Sequence, residues 1–167
     1  MSDSDKPEAR IFTVETRFQK LARRAGGIPR DQAIEQATAQ IEEARPGFDD
    51  WVGKELDKLS DVIKTARPGR PTSDWIELAA NHGRQVRDVG TTMGFELLTY
   101  VADSLCEILD AVAAGAELNM DSITCHLDAL YLARQRPYCN MKPEQVPELT
   151  SGLRRVVEHV STSPNEA

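Results

Sequence analysis

The sequence predicts an all-α fold: an antiparallel four-helix bundle with an additional N-terminal helix and arm. Three observations carry this. Apolar residues recur at the three-then-four spacing of a helix face in successive segments of about 10–20 residues. No segment alternates at period two over a useful length, so no sheet is expected. Short stretches rich in proline, glycine or small residues ("RPG", "RPGRP", "AAGAELN" and "RQRPYCNMKPEQVP") separate the periodic segments, and short connections favour antiparallel neighbours.

In chain order, residues 1–30 read as an N-terminal arm, partly disordered, in which "IFTVETRFQKLARRAGGIP" is mildly amphipathic and ends at Gly26 and Gly27. The bundle is expected over residues 31–161, and residues 162–167 as a disordered tail. Asp31 reads as an N-cap, followed by Ile34, Ala37, Ile41 and Ala44 on one face. The "RPG" at 45–47 is expected to break or kink that helix, because proline lacks the amide N–H. The seam resumes through Phe48, Trp51, Val52, Leu56, Leu59 and Ile63.

Asp74 and Glu77 form a D-x-x-E capping box for a helix carrying Trp75, Ala79, His82, Val86, Val89 and Met93. Leu98, Val101, Leu105, Ile108 and Val112 line the next helix. Asn119 or Asp121 caps the one after, with Ile123, Leu127, Leu130 and Tyr131 inward. Val146, Leu149, Leu153, Val156 and Val160 mark the last. The expected core includes Trp51, Leu56, Leu59, Trp75, Val86, Leu98, Val101, Leu105, Leu127 and Leu130.

Composition narrows the function classes. With 167 residues, 40 % hydrophobic and 28 % charged, the chain reads as one soluble domain with a core that needs no staples. A net charge of −7 argues against generic binding to nucleic acid or to an anionic membrane. No apolar run approaches the ~20 residues of a membrane-spanning helix, and "MSDSDKPEAR" lacks the apolar core of a secretory signal. Cys106, Cys125 and Cys139 are odd in number and irregularly spaced, which points to a reducing cytoplasm. Cys125 and His126 are adjacent and diverge by about 100° on a helix. No second pair stands at ligand spacing, so neither a metal nor another cofactor is expected. No nucleophile elbow or glycine-rich phosphate loop is present.

The stretch "NHGRQVRDVGTTMG" (81–94) gathers the chemistry-bearing residues. His82 lies on the apolar seam between Ala79 and Val86, where a histidine is expected to be buried and hydrogen-bonded. Arg84 stands about 200° round the helix from it and faces away from the seam. Arg87, Asp88 and Thr91 share the side of Arg84, at i+3, i+4 and i+7, a pattern that by itself describes a solvated charged face.

Residues 90–109, "GTTMGFELLTYVADSLCEIL", followed by 122–133, "SITCHLDALYLA", resemble a bacterial family of histidine phosphotransfer (Hpt) domain proteins. The resemblance extends to "FDDWVGKELDKL" (48–59) and "RFQKLARRAGG" (17–27), and so spans roughly residues 15–135. It implies a four-helix bundle whose phosphorylated histidine sits mid-helix on the solvent face, with a lysine three residues on and a glycine four on. Anchored on Met93 and Gly94, the family's histidine falls on Arg84, its lysine on Arg87 and its glycine on Asp88. His82 is two residues too early and on the other face. Guanidinium is protonated near neutrality and has no lone pair to offer phosphorus, whereas neutral imidazole has one.

The resemblance therefore implies a degenerate member, a pseudo-Hpt of two-component signalling. It would dock a response-regulator receiver or a histidine kinase through Arg84, Arg87, Asp88 and Thr91. One alternative is an active relay in which His82, or His126, accepts phosphate. Another is a structural or oligomerisation bundle outside phosphorelay.

Overall fold

The computed structural model describes residues 16–22, 26–66 and 72–162. The expected polar start (1–10), the "RPGRP" loop and the residues after 162 lie outside them. The chain divides into two compact units, Met1–Gln40 and Ile41–Ala167. All described regular structure is helical: α1 (Arg17–Ala22), α2 (Arg30–Lys64), α3 (Thr72–Met93), α4 (Glu96–Ala113), α5 (Met120–Arg134) and α6 (Pro147–Thr162), with short 3-10 turns at Tyr138–Asn140 and Pro143–Gln145.

The first unit holds α1 and the first turns of α2. The apolar face expected there is not buried: Ile34 is 52 % exposed, and Ile28 and Leu21 are similarly open. Asp31 is not the N-cap. The helix starts one residue earlier, and Asp31 sits in its first turn, where a carboxylate still complements the helix dipole.

Of the break or kink expected at 45–47, the break does not occur: α2 runs through Pro46. Proline removes one hydrogen bond and crowds the carbonyl four residues back. Here Pro46 and Glu42 are exposed, so water can satisfy that carbonyl. The next turn is anchored by the buried Phe48 and Val52. Arg45 adds a tie, donating from Nη2 to the Met93 carbonyl at 3.3 Å and lying 5.3 Å over the Phe95 ring.

α3 also begins earlier than the capping box implied, at Thr72, which places Asp74 in its first turn. It ends at Gly94, whose φ of +77° suits glycine, while the Phe95 amide reaches back to the Gly90 carbonyl at 2.9 Å. α3 and α4 run antiparallel in close contact. A β-carbon at Gly90 would sit 2.9 Å from Thr99 Oγ1, and one at Gly83 would sit 3.0 Å from Cys106 Sγ, so the two glycines let the helices approach.

Ten of the eighteen residues of α4 are buried, which makes it the central helix. It packs against α3, α5 and α6. Of the ten expected core residues, nine are buried and Trp51 is partly so, packed at the edge. Asn119 caps α5, its side chain accepting from the Ser122 amide at 3.1 Å. Asn119→Ala should cost about 1 kcal/mol of unfolding free energy, read by denaturant titration. No described helix is long and apolar enough to cross a membrane.

Candidate functional site

The register of α3 against α4 sets the surroundings of the charged face. Arg84, 40 % exposed, donates from Nη2 to Asp110 Oδ1 at 2.5 Å. Arg87 donates from Nε to Asp88 at 2.9 Å and from Nη1 to Asp103 at 3.2 Å. These bonds raise the already high pKa of Arg87. Thr91 donates to the Arg87 carbonyl at 2.9 Å. Arg84 and Arg87 both reach carboxylates of α4, Asp110 and Asp103, which the α3 pattern alone does not reveal. Beneath the arginines lies Cys106, whose thiol is pushed up to about 11, chiefly by burial and in spite of the two nearby guanidiniums. It is therefore a protonated packing residue at neutral pH rather than a nucleophile.

His82 lies on the other side of α3 and is largely buried, with 20 % of its side chain exposed. Its Nδ1 is hydrogen-bonded to Oε1 of Glu55 on α2. Glu55 is only 2 % exposed and also accepts from Lys58 Nζ at 3.1 Å. Burial acts to raise the Glu55 pKa, but the hydrogen bonds and charges of His82 and Lys58 outweigh it and the net shift is downward. A carboxylate can only accept, so His82 Nδ1 carries the proton, and in the neutral ring the lone pair is on Nε2. Glu55 is the residue that the periodicity reading missed. Its signal was a carboxylate set among Val52, Leu56 and Leu59 on an apolar seam.

His126, on α5, is fully enclosed. Its Nδ1 bonds the Ser122 carbonyl at 2.8 Å, which fixes the proton there, so Nε2 accepts from the Ser104 hydroxyl at 2.9 Å. Burial drives its pKa down, with the Ser122 bond opposing, and the ring is neutral at pH 7. Its lone pair is occupied and away from solvent. Cys125 beside it is exposed, so the two diverge as helical geometry requires. No group of three or more metal-ligating side chains is assembled among the described residues.

The chain matches no family model, no curated protein and no solved structure.

Proposed function

We propose that this protein is a non-transferring signalling bundle of the phosphotransfer type, which docks a response-regulator receiver or a histidine kinase in a bacterial cytoplasm. On this reading the later turns of α2 together with α3, α4 and α5 form an antiparallel four-helix bundle, and the early turns of α2 are the additional N-terminal helix. The observation that carries the reading is Arg84. It stands mid-helix on the open side of α3, where the resembled family needs an imidazole, and its guanidinium is bound to Asp110. No lone pair is offered at that place.

The α4 carboxylates change what docking can gain. The face holds two guanidiniums (Arg84, Arg87) against three carboxylates (Asp88, Asp103, Asp110). An acidic receiver pocket would have to exchange with Asp103 and Asp110 to reach the arginines, so each contact replaces one ion pair by another. Asp103→Asn with Asp110→Asn should strengthen receiver binding, and Arg84→Ala with Arg87→Ala should weaken it. Both effects should shrink as salt is raised.

Titration calorimetry against the receiver and kinase domains of the same cell, together with incubation with a radiolabelled phospho-receiver, tests the proposal. Binding without acid-labile label on this protein is expected. Absence of any binding partner in that panel would sink it.

One observation favours a second reading. Glu55 holds His82 Nδ1–H, which leaves the lone pair of the neutral ring on Nε2, and 20 % of the side chain is exposed. Label that appears on the wild type and vanishes in His82→Ala would install His82 as acceptor and make the protein an active relay.

A further inference from the structure

A concavity of about 1130 Å³ lies where α2 passes the α3–α4 turn and the end of α5, away from Arg84. Its wall gathers Arg45, Arg134 and Arg136 against a single carboxylate, Asp49. That balance is opposite to the chain's, which has 27 acidic and 20 basic residues.

The three guanidiniums are held differently. Arg134 donates from Nε to Asp49 at 3.1 Å, and its planar end lies over Gly53, where a β-carbon would come within 2.9 Å of it. Arg45 gives Nη2 to the Met93 carbonyl, while its Nε is buried with no hydrogen-bond acceptor and the Glu42 carboxylate stands 3.5 Å away. Arg136 is exposed and makes no ion pair among the described residues. Counting Glu42, three positive charges face two negative ones, and most N–H donors of Arg136 and several of the other two remain open.

The C-terminal end of α5 works against this positive balance, since its last carbonyls are partly negative. The guanidiniums carry full charges and outweigh it.

From this arrangement we infer that the cleft is a binding site for a small soluble molecule carrying more than one phosphate. Arginine forks match phosphate oxygens in pairs. Three of them spread around a cleft of this volume suit an extended polyanion better than one small ion. Phe95 offers little room for a stacked ring, since Phe48 lies 4.7 Å from it and Arg45 covers it as well. Recognition is therefore of the anionic groups. The inference rests on no part of the phosphorelay reading.

The test is titration calorimetry of the full chain with inorganic pyrophosphate at constant ionic strength, with sulfate as a comparison anion. Saturable binding is expected, tighter than for sulfate. Arg136→Glu should weaken it at least tenfold; the residue is exposed and unpaired, so the fold should survive. Arg155→Glu changes net charge equally but lies on α6 outside the cleft, and should leave the affinity unchanged. No saturable binding by the wild type, sulfate binding as tightly as pyrophosphate, or equal losses in the two variants would overturn the inference.

Discussion

Truncating His82 to alanine should lower the unfolding free energy by about 3 kcal/mol, because it strips a buried carboxylate of its main partner. Glu55 is 2 % exposed, and only Lys58, itself mostly in solvent, would still reach it. An unpaired buried charge has few ways out: it draws in water, takes up a proton, or forces the helices apart, and each costs stability. The surviving Lys58 bond keeps the loss near the low end of what breaking a buried pair usually costs. Replacing both partners by leucine, His82→Leu with Glu55→Leu, removes the charge along with its need for a partner. That double variant should recover to within about 1 kcal/mol of wild type.

Denaturant unfolding of wild type, His82→Leu, Glu55→Leu and the double variant measures the coupling; strictly additive losses would show that the pair is not a unit. The pH dependence gives a second check. The Glu55 pKa is lowered in the fold, so its stabilisation is present above its unfolded value of 4.5 and is lost as pH falls through the folded value. The gap between wild type and His82→Ala should therefore narrow in acid below that point. If His82 were instead a phosphate acceptor that contributes little to stability, His82→Ala would abolish labelling and leave the midpoint of unfolding almost unmoved.

Helical periodicity carried the all-α reading and nearly the whole core, because burial on one face leaves a direct trace in the spacing of Leu, Val and Ile. It failed where a local rule met a tertiary one. Pro46 costs about 3 kcal/mol in a helix interior. The burial of Phe48 and Val52 just beyond, each about 1.5–3 kcal/mol, holds the helix together across it. The N-terminal face of Ile34, Ala37 and Ile41 has the right spacing yet Ile34 and Ala37 stay exposed, since periodicity states which residues could be buried and not what covers them.

At the candidate site, the side of α3 that carries Arg84, Arg87, Asp88 and Thr91 was legible. What those arginines touch was not, because the register between α3 and α4 decides that Asp103 and Asp110 come opposite them. Glu55 and His82 lie 27 residues apart, and Arg45 lies about 90 from Arg134 and Arg136, so neither the buried pair nor the basic cleft has a local signature.

The second large effect is expected at His126. Replacement by alanine should cost about 3 kcal/mol, combining the cavity left by a fully enclosed ring with two stranded polar groups, the Ser104 hydroxyl and the Ser122 carbonyl. Ser104→Ala is milder, about 1 kcal/mol, since the small cavity is the same type of loss on a lesser scale and only Nε2 is stranded. The distinguishing feature is the pH profile. Burial lowers the His126 pKa in the fold, so between the folded and unfolded values the unfolded chain binds more protons than the native one. Its contribution is complete above the unfolded value of about 6.5 and declines as pH falls from there toward the folded value. Wild type should thus lose stability on acidification through pH 6, ahead of the step from Glu55. His126→Gln, which titrates nowhere in this range, should lack that first step while starting from a lower stability at pH 8. Unfolding midpoints measured at half-unit intervals from pH 5 to 8 separate the two profiles. Parallel curves would mean that the enclosed ring does not set the acid sensitivity. The geometry of the native state bears on function as well: His126 is fully enclosed, with Nδ1 on the Ser122 carbonyl and Nε2 accepting from Ser104, so neither ring nitrogen is presented to solvent.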